Sequence, residues 1–246
     1  MKTRTLESSQ SLRDLRVAVT GGTSGLGRAL VHELRARGAH VAFTARGAAR
    51  VDEVMREEPG SLGIAGDVAD KRAIHSIAMQ LLAWRGGVDV LINNASSLGP
   101  VPLVPLADTE CEDFELALAT NVLGPFRLTK ALLGALAASA REGRGGVVLN
   151  VSSDAAVNAY ANWGAYGASK AALAHMSLIW DAECSDLGIR FLSIDPGDMD
   201  TPLHALAIPD ADRATLRAPA DTAREFADII ANTLPVRSRP HAAQTA

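Results

Sequence analysis

Residues 17–37 read V-A-V-T-G-G-T-S-G-L-G-R-A-L-V-H-E-L-R-A-R, and this stretch predicts a buried strand, a glycine-rich turn and a helix. Gly38-Ala39 is typical of a helix end, and residues 40–45 resume as a second strand. Further strands are predicted near 62–66, 89–92, 146–151 and 190–194, with further helices near 48–57, 71–84, 109–138, 164–186 and 221–232. Strands that alternate with helices and are buried on both faces favour a parallel, doubly wound sheet.

The length and composition suit one such α/β domain. The chain has 246 residues, of which 48% are hydrophobic, so it can bury a large core. We predict a single-domain Rossmann-like fold over residues 15–234, a doubly wound parallel sheet of about six to seven strands with helices on both faces. Residues 1–14 are predicted to be a flexible N-terminal arm, and residues 235–246 a flexible C-terminal tail interrupted by proline.

Charge and cysteine content exclude several classes of partner. The net charge of −4 gives no basic surface for nucleic acid or an anionic membrane, and the sequence has no apolar run that would cross a membrane or act as a secretion signal. The two cysteines, Cys111 and Cys184, have no metal-ligand spacing with each other or with the six histidines. We therefore expect no metal, no nucleic acid and no membrane, and a reducing, cytoplasmic location.

The glycine turn predicts a dinucleotide site. Glycines at 21, 25 and 27 allow the backbone to approach a diphosphate at the positive end of the next helix. Their G-x-x-x-G-x-G spacing differs from the G-x-G-x-x-G fingerprint and lacks the Gly-Lys-Ser/Thr of a P-loop, so glycines that serve only a tight turn remain an alternative. The predicted contacts of this turn are Gly21, Thr23, Ser24, Gly25, Leu26 and Gly27.

Residues at the ends of the next three strands bear on the choice of cofactor. The second strand ends in Thr44-Ala45-Arg46, with an arginine and no carboxylate, which favours the 2′-phosphate of NADP(H), while NAD(H) stays possible. The third and fourth strands end in Asp67-Val68 and Asn94-Ala95, at the edge where such sheets bind ligands. We predict that these four residues flank the adenine and its ribose.

Residues 153–170 carry the expected chemistry. Tyr166 and Lys170 are four residues apart in Y-G-A-S-K, so a helix would place a phenol and an ammonium on one face. A cation about 4 Å from a phenolate is worth about 4 kcal/mol, or roughly three pKa units, which would bring the tyrosine towards 7. The same pair could also occur by chance at the start of an ordinary amphipathic helix.

The motifs then occur in a fixed order, as Thr20-Gly-x-x-x-Gly25-x-Gly27, Asn93-Asn94-Ala95, Asn121, Ser153, Tyr166-x-x-x-Lys170 and Pro196-Gly197. From about residue 15 to 201 the sequence resembles the classical short-chain dehydrogenase/reductase family. The resemblance implies that Tyr166 is the acid/base, that Lys170 lowers the pKa of Tyr166 and holds the nicotinamide ribose, and that Ser153 binds the substrate oxygen. It also implies that Asn121 anchors a water in a proton relay, and that Pro196, Gly197 and Thr201 contact the nicotinamide.

The sequence departs from the family pattern in two places. Ser96 stands where a glycine is usual, and the usual last strand after residue 201 is missing. That ending contributes to subunit packing in the family, so its absence puts the common homotetramer in doubt. A homodimer formed through the helices at 109–138 and 164–186 remains reasonable, although a sheet and a neighbouring helix could equally cover their apolar residues.

These observations favour an NADP(H)-dependent oxidoreductase that transfers a hydride to or from a small or medium ketone, aldehyde or secondary alcohol. Two alternatives are a catalytically silent NAD(P)-binding regulator on the same fold and a sugar-nucleotide epimerase, which would need a separate substrate domain. A serine hydrolase is disfavoured because the sequence has no G-x-S-x-G elbow. Tyr160 and Trp163 could line an apolar substrate pocket or belong to the core.

Overall fold

A central sheet of parallel strands carries the whole structure, a computed structural model that describes residues 12–234. Its strands are β1 Arg16–Thr20, β2 His40–Ala45, β3 Leu62–Ala65, β4 Val90–Asn93, β5 Val147–Val151 and β6 Arg190–Ile194. Their order across the sheet is β3-β2-β1-β4-β5-β6. The predicted doubly wound parallel sheet is confirmed, and the six observed strands lie within the predicted number.

Eight α-helices connect and cover the strands in the described part of the chain. They are α1 Gly25–Ala36, α2 Ala48–Glu57, α3 Ala73–Ala83, α4 Cys111–Leu118, α5 Gly124–Arg141, α6 Gly164–Cys184, α7 Pro202–Ala207 and α8 Pro219–Thr233. A π-helical turn, Ala119–Leu123, joins α4 to α5, so the long helix predicted at 109–138 is nearly continuous. Helix α7 is absent from the predicted elements, because its six residues are too few to show a helical period.

Two apolar cores lie on opposite faces of the sheet. Successive residues of a strand point to opposite faces, so Val17 and Val19 belong to one core and Ala18 to the other. Helices α1, α2 and α8 cover the first face, and α3, α5 and α6 cover the second. Burial on both faces explains why the central strands β1, β4 and β5 are nearly continuous apolar runs.

The ordered chain begins before the predicted boundary. Leu12 falls within the predicted flexible arm, but its side chain is buried in the first core and its backbone amide donates to the carbonyl of Arg37 at 3.2 Å. This correction places Leu12 in the packed domain, because its buried side chain and its hydrogen bond at the end of α1 hold it there. The rest of the predicted arm and the whole predicted tail, 235–246, lie outside the described residues.

Residues 12–234 contain neither a membrane-spanning helix nor a cluster of metal-binding side chains. No helix there is long and apolar enough to span a membrane. The same residues contain no group of three or more histidine, cysteine, aspartate or glutamate side chains placed to hold a metal ion.

A buried carboxylate joins the chain segments at the amino edge of the sheet. Asp89, fully buried, accepts hydrogen bonds from the Arg16 guanidinium at 2.6 and 3.1 Å, from the Ser139 hydroxyl at 2.6 Å and from Arg144 at 3.3 and 3.4 Å. Burial alone would raise the pKa of Asp89, but the hydrogen bonds from these three side chains lower it to about 2. The folded state therefore stabilises the ionised form of Asp89 much more than the unfolded chain does.

We expect Asp89→Asn to lower the free energy of unfolding by at least about 2 kcal/mol at neutral pH, because it leaves Arg16 without its charged partner. The contribution of Asp89 is present above its unfolded pKa of about 4 and disappears as the pH falls through its folded value. The free energies of unfolding of the wild type and of Asp89→Asn, measured by urea titration, should therefore approach each other by about 2 kcal/mol as the pH is lowered from 5 to 2. Asp186→Asn, at an exposed aspartate, is the matched control, and a pH-independent gap between wild type and Asp89→Asn would contradict the assignment.

Candidate active site

A cleft of about 630 Å³ opens at the carboxyl edge of the sheet, above the point where the strand order reverses between β1 and β4. It is lined by the glycine turn, the ends of β2, β3 and β4, the segment that follows β5, the start of α6 and the short helix α7. Every residue that the sequence analysis assigned to the site lines this cleft except Asn121. The structure therefore brings together residues that are up to 180 positions apart, from Gly21 to Thr201.

The glycine turn leaves room for a ligand to approach the backbone. Gly21 and Gly25 have φ angles of +71° and +48°, which side chains with a Cβ rarely adopt. A Cβ on Gly27 would overlap the carbonyl oxygen of Gly21. Together these three glycines set the path of the chain from β1 into α1, whose first-turn residues line the cleft.

Hydrogen bonds tie the end of β1 to the end of β4. The Thr20 hydroxyl accepts from the backbone amides of Asn94 and Ala95, both at 3.0 Å. The Asn94 side chain in turn donates to the carbonyls of Thr20 at 2.9 Å and Gly21 at 3.3 Å. Asn94 thus lines the cleft and also holds the glycine turn against the neighbouring strand.

Asn121 lies beneath the cleft, in the π-helical turn, and its side chain is fully bonded to protein groups. Its amide nitrogen donates to the Ser97 carbonyl at 2.7 Å and to the Ser169 hydroxyl at 2.8 Å. Its amide oxygen accepts from the Ser97 backbone amide at 2.8 Å and from the Ser96 hydroxyl at 3.2 Å. The water of the expected relay would therefore have to bind the main chain of Asn121, because the side chain has no donor left.

Tyr166 presents its hydroxyl in a buried position. Burial raises the pKa of Tyr166 to about 12, and the charges of Asp195 and Asp154 act in the same direction. Hydrogen bonding to Ser153 and Ser96 lowers the pKa but does not offset burial. The expectation that Lys170 brings this pKa towards 7 is not met in this structure, because burial of the phenolate dominates and the two nearby carboxylates add to its effect.

Lys170 is buried beside the tyrosine ring. Its ammonium donates to the carbonyl of Val151 at 2.7 Å and lies 5.5 Å from the centroid of the Tyr166 ring, over its face. Burial lowers the pKa of Lys170 to about 8, against the opposing effect of the Asp195 carboxylate. The lysine is thus mostly charged at neutral pH and forms a cation–π contact with the tyrosine.

Ser153 follows β5 and lines the cleft, as does the adjacent Ser152. Its hydroxyl accepts from the Ala155 backbone amide at 3.2 Å and donates to the Asp154 carboxylate at 3.1 Å. Tyr160, largely exposed, donates to the other oxygen of Asp154 at 2.6 Å. Trp163 packs edge-on against Tyr166 with ring centroids 5.7 Å apart, so it lines the cleft and also supports the tyrosine.

Sequence reasoning missed several residues of the site, which are Arg50, Ser96, Asp154, Ser169 and His204. Arg50 lies four residues after Arg46, in the first turn of α2, and this short separation could have indicated it. Ser96 stands out in the sequence only as a departure from a glycine, whereas in the structure it contacts Asn121. His204 is half-buried in α7, and its Nδ1 has no hydrogen-bond partner among the described residues, which no sequence pattern indicates.

Comparison with known proteins gives a consistent family. Residues 16–211 match the family model described as short chain dehydrogenase. The chain is 30% identical to L-xylulose reductase from Bos taurus over 221 residues, which cover 88% of this chain and 86% of the relative.

Two solved structures show the same fold. One is a 3-ketoacyl-(acyl-carrier-protein) reductase from Brucella melitensis complexed with NADH, at TM-score 0.83 and 25% identity over 89% of this chain and 92% of that one. The other is a short chain dehydrogenase from Shigella flexneri complexed with NADP, at TM-score 0.79 and 27% identity over 87% and 90%.

We expect Gly27→Ala to lower the free energy of unfolding by about 1–3 kcal/mol, because the new methyl group overlaps the Gly21 carbonyl and must displace the turn. Gly134, also helical, has open space where a methyl group would lie, with no atom within 4 Å, and it is the matched control. Gly134→Ala should instead stabilise the protein by about 0.5–1 kcal/mol. Equal effects of the two substitutions in urea unfolding would contradict the close approach.

Proposed function

The chain belongs to the short-chain dehydrogenase/reductase family of NAD(P)-dependent oxidoreductases, and from that premise we propose that it transfers a hydride between NADP(H) and a small or medium ketone, aldehyde or secondary alcohol. The observation that carries the proposal is the convergence of Ser153, Tyr166 and Lys170 in one cleft with the glycine turn. A proton donor, a hydrogen-bonding serine and a dinucleotide cradle are the groups that carbonyl reduction requires.

The glycine turn supports a dinucleotide site at this cradle. The overlap that a Cβ on Gly27 would produce shows that the turn is as tight as glycine permits, and the unpaired amides at the start of a helix are groups that bind a diphosphate. We propose that the diphosphate binds at residues 21–27, the adenine end at Asp67, Val68, Asn94 and Ala95, and the nicotinamide end at Pro196, Gly197 and Thr201. When bound, the nicotinamide supplies or accepts the hydride.

Two arginines support NADP(H) over NAD(H). Arg46 and Arg50 both line the cleft beyond the end of β2, and the residues that end this strand include no carboxylate to bind a ribose 2′-hydroxyl. A guanidinium pair recognises a phosphate by charge-assisted hydrogen bonds. The Shigella relative, a complex with NADP, agrees with this preference, while the Brucella complex with NADH keeps NAD(H) possible.

Tyr166 is proposed to exchange the proton at the substrate oxygen. The raised pKa of Tyr166 keeps the phenol protonated at neutral pH, which is the form that donates during carbonyl reduction. Oxidation of an alcohol requires the phenolate, so its rate should increase with pH. Ser153 would bind the same oxygen, and Lys170 would stabilise the phenolate and hold the ribose hydroxyls.

Asn121 has a positioning role in this proposal. Its side chain joins the loop at 96–97 to the helix that carries Tyr166, through Ser169. It could contribute to a proton relay only through a water on its main chain. The catalytic set proposed from sequence, Asn121, Ser153, Tyr166 and Lys170, thus divides into three groups at the cleft and one beneath it.

We also propose that the protein self-associates. The outer faces of α4, α5 and α6 expose large apolar side chains at Leu116, Phe126, Leu178 and Ile179. Pairing these faces in a homodimer would remove them from water. A homotetramer would need a further interface.

We expect Tyr166→Phe to lower kcat for carbonyl-dependent NADPH oxidation by about 100- to 10,000-fold, because the ring remains but the exchangeable proton is lost. Ser153→Ala should also lower kcat/KM, while Ser185→Ala, at an exposed serine that does not line the cleft, serves as its control. NADPH fluorescence should show that all three variants still bind cofactor. Full turnover by Tyr166→Phe would overturn the mechanism, and cofactor binding by the wild type without turnover of any carbonyl would favour the silent regulator.

The cofactor preference is tested with arginine variants. Arg46→Ala and Arg50→Ala should each raise the KM for NADPH about tenfold or more and leave the KM for NADH nearly unchanged, because only NADPH carries the 2′-phosphate. Arg56→Ala removes an exposed arginine from the same helix, α2, that does not line the cleft, and it should change neither KM. Equal effects on NADPH and NADH would remove these arginines from a phosphate site.

A further inference from the structure

Asp154 places a carboxylate directly beside the proposed substrate-binding serine. Its Oδ1 accepts from the Ser153 hydroxyl at 3.1 Å, and its Oδ2 accepts from the Tyr160 hydroxyl at 2.6 Å. The residue is exposed and lines the cleft. Two hydroxyl groups therefore hold the carboxylate in one orientation, with lone pairs left over on both oxygens.

Substrate binding must exchange one hydrogen bond for another at this carboxylate. If Ser153 donates its proton to a substrate carbonyl, Asp154 Oδ1 loses the donor that it has now. A substrate with its own donor next to the carbonyl carbon can replace the lost bond. A substrate with a methylene at that place cannot, and the carboxylate is then desolvated without a partner, which is unfavourable.

The charges around this part of the cleft disfavour anions. Asp195 and Asp198 line the same cleft, and Asp195 acts on Tyr166 together with Asp154. The buried ammonium of Lys170 is already bonded to the Val151 carbonyl. A substrate carboxylate close to Asp154 would meet a like charge at short range, with no free cation beside it among these side chains.

We propose that Asp154, held by Tyr160, selects substrates that carry a hydrogen-bond donor, a hydroxyl or an ammonium, on the carbon next to the reacting carbon, and rejects substrates with a carboxylate there. The inference rests on the proposed oxidoreductase function. It assigns to Tyr160 the role of positioning the carboxylate. The sequence alone had left two interpretations of Tyr160 open, a place in the substrate pocket or a place in the core.

The test uses a matched set of ketones with the same butyl chain. 1-Hydroxy-2-hexanone and 1-amino-2-hexanone carry a donor next to the carbonyl, 3-heptanone carries a methyl group there, and 2-oxohexanoate carries a carboxylate. NADPH oxidation gives kcat/KM for each with the full-length protein. The wild type should prefer at least one donor-bearing ketone over 3-heptanone by about tenfold or more, and should use 2-oxohexanoate least well.

Two variants and one control assign the preference to Asp154. Asp154→Asn keeps the shape and removes the charge, so the ratio of amino to carboxylate substrate should fall by about tenfold or more. Tyr160→Phe keeps the charge but frees the carboxylate, so the preference of the wild type for a donor over 3-heptanone should shrink by about threefold. Asp186→Asn, an exposed aspartate that does not line the cleft, should leave all four values unchanged.

The outcomes separate this inference from the proposed function. A preference for the hydroxy ketone alone supports a hydroxyl as the recognised donor, and a preference for the amino ketone alone supports an ammonium. Turnover of all four ketones at similar kcat/KM, or a ratio of amino to carboxylate substrate that is unchanged in Asp154→Asn, overturns the selection by Asp154 and leaves the oxidoreductase intact. If the wild type oxidises NADPH with none of the four ketones, the selection by Asp154 and the proposed oxidoreductase function are both overturned for ketones of this size.

Discussion

The hydrogen bonds of Thr20 with the end of β4 are the constraint on which the rest of the site depends. A single hydroxyl accepts from two successive amides, those of Asn94 and Ala95, at 3.0 Å each. This contact closes the sheet at its topological switch point, where the ends of β1 and β4 would otherwise separate towards solvent. It also determines where the loop that follows Ala95 begins, and that loop is joined to α6 through Asn121.

From this contact a hydrogen-bonded path runs to Tyr166. The loop after Ala95 presents Ser96 and Ser97 to the Asn121 side chain, which then donates to Ser169 at 2.8 Å. The Ser169 hydroxyl donates to the carbonyl of Tyr166 at 2.7 Å. Every donor and acceptor of the Asn121 amide is used, so any movement of the loop would leave a buried polar atom unpaired. The glycine turn and Tyr166 are therefore held in a fixed position relative to each other.

The order of strands and helices was predictable because each element carries its own apolar pattern, and the strands of residues 40–45 and 190–194 have the bounds predicted. The cleft residues were predictable because parallel strands end at one edge. The pKa of Tyr166 was not, since burial arises from packing that spacing alone does not reveal. The bonds of Asp154 and Ser96 were missed for the same reason, because their partners are set by the tertiary path of the chain.

Polar contacts, more than apolar ones, determine how α6 sits on the sheet. Lys170 donates to the Val151 carbonyl at 2.7 Å, and Ser177, two turns further on, accepts from Asn150 at 2.8 Å. Asn150 in turn accepts from Asn93 of β4 at 2.8 Å. Apolar surfaces tolerate small rotations and translations, whereas buried hydrogen bonds lose their energy within a few tenths of an ångström. The rotation of α6 that points Tyr166 into the cleft is thus specified by these bonds, while the leucines and valines around them supply the stability.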